Sequence, residues 1–117
     1  MIIQGKVVSG VGKGKIHVPK YLPYFETMLG FTCFPGTLNI KVPEMPVFEE
    51  SKKISIVPED GGQVDCYLVR IQNQFDGAIV LPHKTEHEKN VIELIAPVNL
   101  REELLVNDGD EVECELV

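Results

Sequence analysis

Apolar residues in this chain fall mostly into short runs, and few stretches carry the three-to-four spacing of a helix. Residues 2–8 read as a first strand and 15–18 as a short second one, with a glycine-dense turn closing a hairpin-like loop between them. Residues 20–29 make the best early helix. Pro23 falls in its first turn, Leu22, Phe25, Met28 and Leu29 form an apolar stripe, and Gly30 stops it. Residues 37–42 read as a strand with Leu38, Ile40 and Val42 on the buried face and Thr37, Asn39 and Lys41 on the opposite one. The Pro- and Glu-rich stretch 43–51 has no period and reads as a surface excursion.

Farther along, 54–57 and 64–71 form an expected antiparallel pair around a turn at 59–62. A strand at 78–81 follows an expected turn at Asp76-Gly77, and 91–96 is a further strand. Asn99 reads as an N-cap with Glu102 three residues on, opening a short helix through Leu105. A turn at 107–110 then leads into a last strand, 111–116. Many short strands with two brief helices predict a mainly β fold, a closed antiparallel or mixed barrel. There is no solenoid-like repeat, and 117 residues suit one domain with a single modest core.

Composition narrows the function classes. A formal net charge of −7 argues against a nucleic-acid partner, which needs a basic stripe, yet it leaves room for a nucleotide site built from a few local cations. Lys13, Lys15, Lys84 and Arg101 are the candidates. No apolar run is long enough to cross a bilayer, so no membrane partner is expected. Met1 to Lys6 is too short and polar for a signal peptide, and the isolated Cys33, Cys66 and Cys114 suit reduced, packed thiols in a cytoplasmic protein.

Two stretches carry the strongest chemical signal. Gly10, Gly12 and Gly14 alternate with Val11, Lys13 and Lys15, so backbone N–H groups can wrap a phosphate while a lysine adds a charge-assisted bond. This is not a Walker A loop, which would need glycine at position 9 and Ser or Thr at 16, where Ser9 and Ile16 stand. Read alone, the turn fits a flexible hairpin loop as well as a phosphate cradle. Thr37 and Asn39 offer hard, neutral oxygens suited to Mg²⁺ when phosphates supply the negative charge, or else a turn held by side-chain hydrogen bonds.

Three further features bear on function. Glu93 lies in an otherwise apolar strand between Val91 and Ile95, where burial would raise its pKa; an exposed edge position is the alternative. Val98, Asn99, Leu100 and Arg101 open the second helix and can serve an anion or a base edge, or ordinary capping. His83 to His87 matches a zinc-protease spacing, but Pro82 precedes it and no further acidic ligand is suitably spaced.

These stretches, with Leu29-Gly30-Phe31, Pro35-Gly36-Thr37-Leu38-Asn39, Asp76-Gly77-Ala78-Ile79-Val80, Thr85-Glu86-His87, Ile92 to Pro97, Leu100-Arg101-Glu102 and Asp108-Gly109-Asp110, resemble the archaeal CTP-dependent riboflavin kinases in the order that family shows. The resemblance runs from about residue 5 to the end, with a gap near 43–53. It implies a six-stranded cradle-loop, riboflavin-kinase-like barrel with two short helices, and transfer of the γ-phosphate of CTP to riboflavin, giving FMN and CDP. It implies that Gly10 to Lys15 and Val98 to Arg101 bind the nucleotide, and that Thr37 and Asn39 hold Mg²⁺. Thr85 and Glu93 would contact the flavin, and Glu93 is further inferred to act as general base. Riboflavin and CTP are the expected partners of a monomer. Some relatives carry an N-terminal winged-helix domain, for which this chain has no room. The rival reading is a non-catalytic barrel that binds a nucleotide, a flavin or DNA as a regulator.

Overall fold

The computed structural model describes residues 1–9, 18–59, 61–83 and 90–117. Among them the chain forms β1 (Ile2–Val8), α1 (Val18–Leu29), β2 (Leu38–Lys41), β3 (Ile54–Ile56), β4 (Val64–Ile71), β5 (Phe75–Pro82), β6 (Val91–Ile95), α2 (Leu100–Glu103) and β7 (Glu111–Leu116). Neighbouring strands run β4-β5-β6-β2-β1-β7, and β7 returns to β4, closing a six-stranded barrel in which every pairing is antiparallel. β3 is an appendage. It pairs with the first half of β4 at Val64 to Cys66, leaving the second half, Val69 to Ile71, for β7.

Strand alternation divides the core in two. Inward-facing Ile3, Val7, Leu38, Ile40, Val69, Ile71, Ile79 and Leu94 belong to the cluster that fills the barrel. On the outer face, Val18, Tyr21, Phe25 and Leu29 of α1 pack on Ile56, Val64, Cys66, Ala78, Val80 and Ile95. β4, β5 and β6 are thus buried on both faces over much of their length, which is why β5 and β6 read as almost unbroken apolar runs. The excursion at 43–51 returns to the barrel through Phe48, whose ring stacks on Tyr67 at 4.5 Å, and a single 3-10 turn, Glu50–Lys52, follows.

Several expectations are corrected. Val18 begins α1 rather than ending a strand, so Pro19 holds the first-turn position, where a missing N–H is harmless, and Pro23 lies inside the helix. The buried stripe is Val18, Tyr21, Phe25 and Leu29; Leu22 is half-buried and Met28 exposed. Among the described residues the partners of β1 are β2 and β7; the expected hairpin loop and residues 15–17 of the expected second strand lie outside the described residues. Asp76-Gly77 is not a turn but part of β5. The chain reverses instead at Gln72 and Asn73, both with positive φ, where Gln74 N donates to Ile71 O at 2.9 Å. Gly77 is needed because a Cβ there would stand 2.3 Å from the carbonyl oxygen of Ile95. α2 ends at Glu103, and Leu105 has a φ of 55°. No described helix is long and apolar enough to cross a membrane.

Candidate active site

One row of cross-strand partners positions the polar chemistry. Val8 of β1 faces Asn39 of β2, Asn39 faces Glu93 of β6, Glu93 faces Val80 of β5, and Val80 faces Cys66 of β4. Directly paired residues share a face of the sheet. Val80 and Cys66 lie beneath α1, so Asn39 and Glu93 lie on the outer face of the barrel rather than in its interior. Both are enclosed, Asn39 at 2% exposure and Glu93 at 1%. The expected desolvation of Glu93 is therefore met, and the exposed-edge alternative is not, since β6 is flanked by β5 and β2.

The polar-face reading of β2 needs one correction. Lys41 is exposed as its alternation predicts, whereas Asn39 is as buried as Leu38 and Ile40 on the opposite face. Thr37, half-buried just before β2, donates through Oγ1 to Asn39 Oδ1 at 3.2 Å. That separation bears on the metal reading. Adjacent oxygens around Mg²⁺, bonded at about 2.1 Å in an octahedron, stand about 3 Å apart. Two neutral oxygens at this spacing fit two neighbouring positions of such a shell, so the donor set suits Mg²⁺ in the company of phosphates.

The Thr37 turn also meets the second candidate stretch. Phe34, Gly36, Thr37 and Leu38 line one side of a small pocket, and residues 98–101 line the other. Asn99 caps α2 as expected, its Oδ1 accepting from Glu102 N at 3.4 Å, which consumes one of the N–H groups offered to a ligand. Leu100 is buried in the barrel cluster, and Val98 packs partly against it. Arg101 is exposed and donates from Nη2 to Asp108 Oδ1 at 3.0 Å. Asp108 Oδ2 accepts from the hydroxyl of Ser9. Local pattern gives Asp108 only a turn position, because Ser9 lies 99 residues away and Arg101 sits seven residues back in α2.

Gly10, Val11, Gly12, Lys13, Gly14 and Lys15 lie outside the described residues, as do Thr85, Lys84 and His87. Their flanks are fixed. The chain leaves β1 at Val8, the partner of Asn39, two residues before the glycine turn. At the other gap, His83 N donates to Gln63 O at 3.0 Å, and His83 Nε2 lies 2.7 Å from Asp65 Oδ2. Asp65 also accepts from Ser55 Oγ at 2.9 Å and Gln63 Nε2 at 3.3 Å. The imidazole is thereby committed to a carboxylate clamp.

Known proteins resemble the chain along nearly its whole length. The chain is 44% identical to a riboflavin kinase of Thermococcus kodakarensis, over 99% of its own length and 59% of the relative's. It is 42% identical to a riboflavin kinase of Pyrococcus furiosus, over 95% of its length and 56% of the relative's. With a riboflavin kinase of Sulfurisphaera tokodaii the identity is 39%, over 97% of this chain and 93% of the relative. The chain thus spans somewhat more than half the length of the first two relatives and nearly all of the third. Residues 7–116 match the sequence profile of the CTP-dependent riboflavin kinase family, described as a domain of unknown function, DUF120. The chain belongs to that family.

Proposed function

We propose that this chain transfers the γ-phosphate of CTP to the 5′-hydroxyl of riboflavin, giving FMN and CDP, with Mg²⁺ as cofactor. The observation that carries the reading is the Val8–Asn39–Glu93 row. It sets an oxygen pair suited to Mg²⁺ beside both the exit toward the glycine turn and a buried carboxylate. The family match and the names of the relatives support the same reaction.

Phosphoryl transfer asks a protein mainly for positioning and charge neutralisation. Lys13, Lys15 and the backbone of 10–15 hold the donor phosphates, and residues 98–101 hold the rest of the nucleotide. Thr37 and Asn39 hold the metal, which when bound neutralises charge on the phosphates. Thr85 and Glu93 orient the acceptor. A bond forms between the riboflavin 5′-oxygen and the γ-phosphorus as the bond from that phosphorus to the β–γ bridging oxygen breaks. Glu93 takes the hydroxyl proton, and CDP leaves. Substrates are small molecules, no nucleic acid takes part, and the protein works as a cytoplasmic monomer.

The test is direct. Protein, riboflavin and Mg²⁺ are incubated with each of CTP, ATP, GTP and UTP, and FMN is resolved chromatographically. FMN formed with CTP is the expected result, and no FMN with any donor would overturn the reading. For the base, Glu93→Gln should lower kcat by about a hundredfold or more at saturating substrates. Unchanged turnover would remove that role and leave only a flavin contact.

A further inference from the structure

The Asp108-Gly109-Asp110 turn has no part in the chemistry above, yet it joins two pieces of it. One carboxylate oxygen of Asp108 accepts from Ser9, the last described residue before the glycine turn. The other accepts from Arg101 at 3.0 Å, at the end of the 98–101 stretch. The two partners lie 99 and 7 residues away in sequence. The turn is itself anchored to the end of β1: Gly109 N donates to Val7 O and Val7 N donates to Asp110 O, each at 2.8 Å. Asp110 Oδ2 accepts from Asn107 N at 2.8 Å, which fixes the turn from within.

We propose that Asp108 is a positioning residue for the donor nucleotide, holding Arg101 beside Ser9 at the root of the glycine turn. The inference rests on the assignment of 10–15 and 98–101 to the nucleotide. Stability is a poor reason for this contact, because exposed ion pairs contribute little, and both side chains of this one are about half exposed. The Ser9 hydroxyl and the Arg101 guanidinium hold the Asp108 carboxyl below its ordinary pKa, so it is anionic at neutral pH. An anion near a triphosphate repels it. Charge and positioning therefore predict opposite effects: removing the carboxylate tightens nucleotide binding if charge dominates and weakens it if positioning dominates.

Steady-state kinetics with CTP and riboflavin, and calorimetric titration with Mg²⁺ and CDP, decide between them in wild type, Asp108→Ala, Asp108→Asn, Ser9→Ala and Arg101→Ala. Asp108→Ala is expected to raise the KM for CTP and the Kd for CDP about tenfold, with the KM for riboflavin close to wild type. Ser9→Ala should move the same two constants in the same direction by less, and Ser9→Thr should restore them. A merely structural role would shift both substrates together. A CTP KM at or below wild type in Asp108→Ala and Asp108→Asn overturns the proposal. If Arg101→Ala weakens CDP while the Asp108 variants do not, only the positioning role fails. If Arg101→Ala also leaves CDP unaffected, the assignment of 98–101 fails and the proposal falls with it. Should Asp108→Ala fold poorly by circular dichroism, Ser9→Ala carries the same test, and an unaltered CDP Kd in it counts against the proposal.

Discussion

Asn39 and Glu93, the buried carboxamide and carboxylate among the described residues, are direct cross-strand partners on adjacent strands. Such partners carry Cβ atoms about 5 Å apart. A candidate metal ligand and a candidate acceptor-binding carboxylate therefore stand side by side on one rigid ladder. Their spacing is set by backbone hydrogen bonds rather than by loops.

Thr37 and Asn39 should separate experimentally. Thr37 is half-buried, so Thr37→Ala should change stability by no more than about 1 kcal/mol. The same variant should raise the Mg²⁺ concentration for half-maximal FMN formation at least about tenfold. Asn39→Ala should share the metal effect and in addition cost about 1–3 kcal/mol, because it empties a buried polar position. Metal titrations and urea melts check both, and an unaltered Mg²⁺ dependence in the two variants would remove the metal assignment.

Gly77→Ala should destabilise the barrel by about 1–3 kcal/mol or more. The new methyl would meet the Ile95 carbonyl oxygen at 2.3 Å and Ile71 Cδ1 at 2.7 Å, and the carbonyl belongs to a paired strand that cannot step aside. Urea unfolding measures this, and a wild-type midpoint would contradict the close approach of β5 and β6.

The acid limb of stability should depend on Asp65. Partial burial acts to raise its pKa, but hydrogen bonds from His83, Ser55 and Gln63 outweigh that and hold the carboxyl below its ordinary value. A lowered folded-state pKa contributes stability that is complete above the unfolded value and lost as pH falls through the folded one. The stability gap between wild type and Asp65→Asn should therefore shrink as pH drops below about 4. A gap constant across the acid range would show that the clamp does not titrate with folding.

The thiols should be inert in the folded state. Burial pushes Cys33 up to about 11, against a lowering backbone hydrogen bond at Ala96, and pushes Cys66 and Cys114 up to about 12. The thiolate is the reactive form, so iodoacetamide at about pH 8 should label native protein far more slowly than urea-unfolded protein. Mass spectrometry reads the difference, and rapid native labelling of any of the three would show that its pocket opens.

Much of this was legible from alternation. β1 and β7 fall on their expected bounds, because period two is hard to mimic over five or more residues, and β4 and β6 fall within a residue of theirs as short apolar runs set off by turns. What escaped was decided by tertiary contact. Asp-Gly is a strong turn signal, but Gly77 is there for the approach of β6, while the real turn uses Gln72 and Asn73 without a glycine. Two prolines blurred the start of α1, since Pro19 and Pro23 each suit a first turn and only the burial of Val18 and Tyr21 separates them. Alternation put Asn39 on the face opposite Leu38 and Ile40 correctly but could not show that this face is enclosed beside the cluster under α1. The link from Asp108 to Ser9 spans nearly the whole chain, beyond the reach of any local pattern.

Because β7 fits between β1 and β4, the seventh strand of the chain order is also the seam of the cylinder. A nascent chain stalled before residue 111 would present two naked ladders, each able to recruit a neighbour's strand. Closure of the cylinder therefore waits on β7, and a variant lacking residues 111–116 should yield aggregates rather than a smaller folded product.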